Sequence, residues 1–159
     1  MQTKKLMGCI PILFLCLFLT IIAIFVGGNL LGRAQEPDFI QVRLNAPEQV
    51  SLDDPFKIQV MVQNVAPEEI LLHSIDVSDF YIDSVELIAI SPDPIKEQHI
   101  PIVNFTSYEF NQVIPSGGTQ IVTFDFIGKE NGRFSGEIDI CVEASILCKL
   151  ETIETNIGQ

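Results

Sequence analysis

The sequence predicts an all-β fold, an antiparallel β-sandwich of about seven or eight strands preceded by one N-terminal transmembrane helix. Beyond residue 37 the chain consists of segments of four to ten residues rich in Val, Ile, Phe and Thr, which Pro, Gly, Asn and Asp separate. These segments alternate apolar and polar residues with the period of two that a half-buried strand requires. No segment in this part shows helical spacing of apolar residues, so we expect an all-β domain.

An apolar segment near the amino terminus predicts the membrane helix. Residues 6–26 are uncharged and follow Lys4 and Lys5. At about 1.5 Å per residue, such a helix is about 31 Å long and matches the hydrocarbon thickness of a bilayer. The paired lysines favour a cytoplasmic amino terminus. We therefore expect a single-pass cell-membrane protein: residues 1–5 cytoplasmic, a transmembrane helix or uncleaved signal anchor within 6–32, a linker at 33–37, and an extracytoplasmic sandwich at 38–159.

A cleaved signal peptide is the alternative for the same segment. Gly32 and Ala34 place small residues where a signal peptidase would cleave, after Ala34. The apolar run is, however, longer than the roughly 7 to 15 residues of a typical signal peptide. A lipoprotein signal is disfavoured because its box would have to follow the apolar run, whereas Cys9 precedes most of it. Anchor and cleaved signal both export the rest of the chain.

Eight segments are predicted as strands. The alternation is clearest over residues 56–63, where Phe56, Ile58, Val60 and Val62 share one face. An acidic bend is expected after the third segment, and the fifth is expected at a sheet edge because prolines flank it. Turns are expected at residues 114–118 and 128–132. The predicted strands are residues 40–44, 56–63, 70–77, 85–90, 105–110, 119–127, 133–143 and 150–157.

Three stretches resemble bacterial extracytoplasmic immunoglobulin-like modules of the adhesion-related and fibronectin-III-like kind. They are "FKIQVMVQN", which Asn64 closes, the turn and strand "IPSGGTQIVTFDF", and "GRFSGEIDICVE". The resemblance spans roughly residues 38–157 and implies an immunoglobulin-like sandwich with no common catalytic activity. The chain lacks Trp and a long-range cysteine pair, so an antibody-type domain is not expected.

The exported part is strongly acidic. All 21 Asp and Glu residues lie beyond residue 34, together with six of the nine Lys and Arg residues, which gives a net charge of −15. A field of this sign repels phosphate backbones and anionic lipid head groups. Nucleic acid is therefore not an expected partner, while cations, basic proteins and a purely solubilising role remain open.

The sequence lacks the parts of a hydrolytic or zinc site. His73 and His99 are the only histidines, one in a predicted strand and one in a Pro-flanked loop, and no Gly-x-Ser-x-Gly elbow is present. Cys141 and Cys148 lack the spacing and the second pair that structural zinc requires. We expect a protein that is not an enzyme and uses no cofactor.

Short sequence patterns suggest one ligand, calcium, and one modification, glycosylation. Asp76, Asp79 and Asp83 offer three carboxylates across the acidic bend, a candidate calcium site without EF-hand spacing, and a solvated acidic loop is the alternative. Asn104 begins an Asn-Phe-Thr triplet, which is a glycosylation site only if the protein follows a eukaryotic secretory route.

The remaining cysteines are predicted to form a disulfide. Exported thiols meet an oxidising compartment, and the six residues between Cys141 and Cys148 allow a hairpin with its turn between Val142 and Leu147. Two free thiols, or a metal or redox site, are the alternatives. The alternation places Cys141 on the polar face beside Asp139 and other carboxylates, which disfavours a reactive thiolate and predicts a surface staple on the last hairpin.

These observations favour a membrane-anchored, non-catalytic module for protein binding or assembly. The membrane is one expected partner, through the N-terminal helix, and a protein of unknown identity is the other. An accessory or chaperone-like subunit of a membrane or envelope complex is the alternative function. Loops carry most binding residues, so residues 76–83 and 92–101 are the candidate contact segments.

Overall fold

The computed structural model describes residues 36–143 and 147–158. The cytoplasmic segment and the transmembrane helix predicted within residues 1–32, and the cleavage site after Ala34, lie outside the described residues. None of the helical structure in the described part is long and apolar enough to span a bilayer.

The described residues form ten strands and a single helical turn. All eight predicted segments are strands, and two further strands, β2 and β6, escaped prediction. The elements are β1 (Ile40–Asn45), β2 (Gln49–Ser51), β3 (Pro55–Asn64), β4 (Ile70–Ser78), α1 (Asp79–Ile82), β5 (Val85–Ser91), β6 (Lys96–Ile100), β7 (Phe105–Ile114), β8 (Thr119–Gly128), β9 (Gly132–Val142) and β10 (Cys148–Gly158).

The strands make two sheets, as a sandwich requires. The smaller sheet has the order β1-β3-β8-β5, and the larger has the order β2-β10-β9-β4-β7-β6. Neighbouring strands are antiparallel except for β2 and β10, which run parallel. All-β architecture with two sheets is therefore confirmed, and the strand number of seven or eight was too low.

The core lies between the sheets and consists of the apolar faces that the alternation predicted. Aromatic rings fill its centre. The rings of Phe124 and Phe126 are stacked with their centroids 6.0 Å apart, and the ring of Tyr108 packs edge-on against Phe124 with a centroid distance of 5.5 Å. Burial of these faces is the main stabilising term for the domain. The inward residues of the central strands include Ile58, Val60, Val62, Leu72, Ile75, Val77, Val122, Ile138, Ile140 and Val142.

Two predictions were wrong because β6 was missed: the edge position of β7 and the loop at residues 92–101. The β7 strand is not at an edge, because β6 pairs along its outer side from Lys96 to Ile100. The segment of residues 92–101 is therefore partly a strand, and His99 lies in β6 rather than in a loop. Four of the five β6 residues are exposed and polar, so the strand shows no apolar alternation. At three residues, β2 is too short to show a period.

The acidic bend is the helical turn α1, which closes one end of the sandwich. Tyr81 is fully buried, and its hydroxyl lies 2.7 Å from Thr155 Oγ1. The ring also meets Phe126 edge-on at 6.1 Å. Burial raises the pKa of Tyr81 to about 12, so its hydroxyl stays protonated and can donate to Thr155. Phe80, the preceding residue, points to solvent.

Candidate functional site

The outer face of the larger sheet is built from side chains that strand register aligns in rows. Asp76 on β4 pairs with Asp139 on β9 and with Ser107 on β7. The same row extends to Gln98 on β6 and to Leu150 on β10. Alternation along each strand points these side chains away from the core, so they form the floor of a surface groove.

The groove over this row has a volume of about 660 Å³. Carboxylates occupy its floor, while aliphatic and aromatic side chains lie at one end. Its lining is therefore mixed, with a polar centre and an apolar end. The lining residues are His73, Ser74, Asp76, Gln98, Ile100, Val103, Phe105, Ser107, Glu109, Glu137, Asp139, Cys148 and Leu150.

The two aspartates at the centre of the groove have different surroundings. Ser107 Oγ donates a hydrogen bond to Asp76 Oδ1 at 2.5 Å. Burial, together with the negative charges of Asp76 and Glu137, raises the pKa of Asp139 to about 6. Like charges directly opposite each other on a sheet repel. The groove floor is therefore a site where added positive charge would relieve a repulsion.

The disulfide forms the next row of the same face. Cys141 and Cys148 are cross-strand partners on β9 and β10 and are joined by an S–S bond of 2.05 Å. The predicted hairpin is present, and the Val142 amide donates a hydrogen bond to the Leu147 carbonyl at 2.9 Å. Cys141 Sγ lies 3.7 Å from Asp76 Oδ2, a contact rather than a hydrogen bond because a disulfide sulfur carries no proton.

The predicted face for Cys141 was right, but its exposure was not. Cys141 is 0 % exposed: Ser74 and Cys148 flank it in the same row, and its Sγ contacts Asp76 from the neighbouring row. The disulfide is thus part of the packed sheet surface beside the groove, not a solvent-exposed staple.

Two basic side chains near the groove, Lys96 and His73, have an acidic and an amide partner. Lys96 Nζ donates to Glu109 Oε1 at 2.8 Å, and this hydrogen bond lowers the pKa of Glu109. His73 Nδ1 lies 2.8 Å from Asn111 Oδ1. Neither Lys96 nor His73 therefore serves the central aspartates.

A hydrophobic corner adjoins the groove where α1 meets the turn between β6 and β7. We define the apolar corner as Phe80, Ile102 and Val103, which are 72 %, 93 % and 55 % exposed. Phe80 and Val103 line a second hollow of about 410 Å³, and Val103 and Phe105 line both this hollow and the groove. The two depressions are thus continuous along one face.

Polar contacts fix the corner in place. Asp79 donates its amide to the Asn104 carbonyl at 2.9 Å and accepts a hydrogen bond from Thr106 Oγ1 at 2.8 Å. Its other carboxylate oxygen lies 3.3 Å from His99 Nδ1. The two candidate contact segments, residues 76–83 and 92–101, are therefore brought together at one corner.

The calcium and glycosylation predictions remain predictions. Asp76 lies in the groove, Asp79 pairs with His99 and Thr106, and Asp83 follows α1 in an exposed position. Across residues 36–143 and 147–158, no three acidic, His or Cys side chains are grouped as a metal site would need. Asn104 is exposed in the β6–β7 turn with a φ of 57°.

Sequence reasoning missed Asp139 as a site residue and missed the apolar corner. Asp139 was recognised only as a neighbour of Cys141, since its pairing with Asp76 depends on register between distant strands. Ile102 and Val103 follow Pro101 in the sequence "HIPIVNF". Two apolar residues between Pro and Asn, where a turn is expected, were the sequence signal that could have indicated an exposed apolar cluster.

Comparison with known proteins supports the fold alone. No family model matches the chain, and no match is found among curated protein sequences. A cohesin module from a Clostridium perfringens family 33 glycoside hydrolase has a TM-score of 0.52 at 10% identity, covering 76% of this chain and 97% of the module. Part of Escherichia coli alpha-2-macroglobulin has a TM-score of 0.52 at 11% identity, covering 76% of this chain and 7% of that one.

A third solved structure shows why function must come from the site. AvmM, which catalyses macrocyclization in alchivemycin A biosynthesis, has a TM-score of 0.50 at 9% identity, covering 77% of this chain and 90% of AvmM. Proteins of this architecture thus include a module of a glycoside hydrolase and a macrocyclization catalyst. The described domain, residues 37–143 and 147–158, is an immunoglobulin-like β-sandwich.

Proposed function

We propose that the chain is a membrane-anchored, extracytoplasmic and non-catalytic immunoglobulin-like module that binds a protein partner through the outer face of its larger sheet. The apolar segment at residues 6–26 supports the anchor, and the paired Lys4 and Lys5 support the exported orientation of the domain. The disulfide between Cys141 and Cys148 suits an oxidising compartment.

The apolar corner is the observation that supports binding. Large hydrophobic side chains are ordinarily scattered singly on a soluble surface, and clusters of them mark contact sites. Here Phe80 and Val103 line one hollow, and Ile102 stands beside them at 93 % exposure. A partner covering these side chains would gain the free energy of their burial, about 25 cal/mol for each Å² of apolar surface.

The corner is also preorganised for binding. Asp79 bonds to the Asn104 carbonyl and to Thr106, so α1 and the β6–β7 turn hold each other. A surface that is already ordered loses less conformational entropy when a partner binds. The groove continues from this corner across the sheet, which enlarges the surface available to a partner.

The histidines support binding rather than catalysis. A nucleophile requires a base within hydrogen-bond reach. His73 contacts the Asn111 side chain and His99 contacts Asp79, so each histidine contacts an amide or a carboxylate and not a hydroxyl or thiol that it could deprotonate. No other histidine exists in the chain.

Site-specific photo-crosslinking in intact cells tests the binding face. A photoreactive residue at Ile102 is expected to give one discrete covalent adduct with a partner protein. The same residue at Ile121, which lies on β8 and is 45 % exposed on the smaller sheet, is the control and should give none. Identical adduct patterns from the two positions, or no adduct from Ile102, would contradict a binding face at the corner.

An accessory or chaperone-like subunit is the second candidate, favoured by the length of the apolar segment at residues 6–26. In that role the membrane helix itself would contact the partner. Truncation separates the two candidates. If residues 36–159 still capture the partner crosslinked through Ile102, the domain is the binder; if capture requires the membrane segment, the subunit role gains support.

A further inference from the structure

The groove floor holds negative charge that the described part of the chain does not balance. Asp76 and Asp139 face each other, and Glu137 lies two residues from Asp139 on the same face of β9. Hydrogen bonds to Asp76 come from the neutral Ser107 hydroxyl. Lys96, on the edge strand β6, is paired with Glu109.

The acidic pair and the apolar end are separated by a distance that an extended peptide can match. Strand register puts Asp76 beside Asp139 in one row and Ser78 beside Phe105 in another, two residues along the strands. Two residues of extended chain span about 7 Å. Side chains at positions i and i+2 of an extended segment also point the same way.

We propose that the partner bound by this face presents an extended segment in which a Lys or Arg side chain contacts Asp76 and Asp139, while an apolar side chain two positions away packs on Phe105 and the apolar corner. This inference rests on the proposed function and adds the chemistry of the partner. A cation between the two carboxylates replaces their repulsion with two attractions, and a charge-assisted hydrogen bond is stronger than a neutral one.

The observations favour a basic protein segment over other sources of positive charge. A divalent cation would need several oxygen ligands converging on one point, and within the described residues no such group of three is found. A membrane surface would present anionic head groups, which a domain of net charge −15 repels. A peptide satisfies the apolar end and the acidic centre together.

Fluorescence anisotropy with defined peptides tests the proposal on the full chain in phosphatidylcholine nanodiscs. The probe is a dye-labelled, capped peptide Ser-Lys-Thr-Phe-Ser, which places Lys and Phe two positions apart. The controls are Ser-Glu-Thr-Phe-Ser, with reversed charge, and Ser-Lys-Phe-Thr-Ser, which places Lys and Phe on opposite sides of an extended chain. We expect the probe to bind more tightly than either control, and more weakly as salt is raised.

Matched variants assign the binding to this face. The double substitution Asp76→Asn and Asp139→Asn should weaken probe binding about tenfold, which is about the effect of losing one close charge pair. Asp125→Asn, on β8 in the smaller sheet, should leave it unchanged. Far-ultraviolet circular dichroism confirms that each variant is folded.

Three results would overturn the proposal: equal binding of the Glu and Lys peptides, unchanged affinity in the Asp76→Asn and Asp139→Asn variant, or displacement of the probe by calcium alone. Failure here is distinguishable from failure of the proposed function. If Ile102 still crosslinks to a partner while the charge variants have no effect, the binding face stands and cation recognition is excluded. If Ile102 gives no adduct, the binding face itself fails.

Discussion

Asp76 and Asp139 lie directly opposite each other on β4 and β9, in the middle of the outer face of the larger sheet. Two carboxylates in this relationship cannot both ionise without repulsion. Ser107 Oγ donates a hydrogen bond to Asp76 Oδ1, while burial and the neighbouring charges raise the pKa of Asp139 to about 6. The face is therefore acidic at a cost in domain stability.

Replacing Asp139 with Asn is expected to stabilise the domain in a pH-dependent manner. The folded-state pKa of Asp139 is about 6 against an ordinary value of 3.8, so the folded protein holds this proton more tightly than the unfolded chain. The stability associated with the group is highest below about pH 4 and is lost as pH rises to about 6. The linkage between proton binding and folding limits the stabilisation expected from Asp139→Asn to about 3 kcal/mol. Solvent screening of this partly exposed side chain reduces the expected stabilisation to about 1 kcal/mol.

Urea unfolding of Asp139→Asn and the unchanged protein at several pH values measures this effect. The free energies of unfolding should differ by about 1 kcal/mol above pH 7 and converge near pH 4. Asp125→Asn is the control, because Asp125 pairs with Lys57 at 2.9 Å and its loss should not stabilise the domain. A destabilised Asp139→Asn variant at pH 8 would show that the ionised carboxylate is favourable where it lies.

Removing the disulfide by Cys141→Ala together with Cys148→Ala is expected to lower the free energy of unfolding by about 2 kcal/mol. The bond closes a loop with a sequence separation of 7, and a short loop restricts the unfolded chain only modestly. Reductant should destabilise the unchanged protein by a similar amount and leave the double variant unaffected. Ready alkylation of both thiols in the native exported protein would show that the bond does not form in the cell.

Much of the fold could be predicted because several strands keep a strict alternation. In β3 and β8 the buried residues Phe56, Ile58, Val122 and Phe124 recur at every second position, so both their strand type and their inward faces were predictable. In contrast, β6 is exposed on both sides and has no apolar period. Its presence follows from pairing with β7, which a local pattern does not encode.

The site was less predictable because a β-bulge decides which way Asp76 points. Alternation that starts at Ile70 and Leu72 would place Ser74 and Asp76 toward the core. The pairing shifts between Leu72 and Ser74, so Ile75 and Val77 become the buried residues. Asp76 is thereby turned outward, opposite Asp139. The partnership of two residues 63 positions apart in the chain depends on this irregularity and on the register of β9.

Replacing Asn64 with Ala is expected to cost about 3 kcal/mol of stability. Asn64 is fully buried at the end of β3, and its Nδ2 donates to the carbonyls of Glu68 at 2.7 Å and Ile114 at 3.0 Å. Its Oδ1 accepts from the Ala66 amide at 2.8 Å. Loss of the side chain removes a partner from the buried Ile114 carbonyl and from two partly buried backbone groups, and a buried group left without a partner costs about 1 to 3 kcal/mol before relaxation.

The matched control for Asn64→Ala is Asn45→Ala. Asn45 is exposed and makes a single side-chain hydrogen bond, from its Nδ2 to Gln59 Oε1 at 3.2 Å. Exposed substitutions of this kind usually change stability by about 0.5 kcal/mol or less. Thermal and urea unfolding should therefore separate the two variants clearly, and equal effects would show that water replaces the buried contacts of Asn64.

Replacing Gly136 with Ala is expected to destabilise the domain by about 2 kcal/mol, because β9 passes directly beneath α1. A Cβ atom at this position would lie 2.6 Å from Tyr81 Cβ and 3.4 Å from Ser78 Cβ, so α1 would have to move. That movement would disturb the hydrogen bond between the Tyr81 hydroxyl and Thr155, and it would shift the exposed Phe80. Gly158→Ala is the matched control, because no atom lies within 4 Å of the added Cβ.

Urea unfolding measures the stability of both variants, and the near-ultraviolet circular dichroism of the two tyrosines reports the movement of α1. A Gly136→Ala variant as stable as the control, with an unchanged tyrosine signal, would contradict the close packing of α1 on β9.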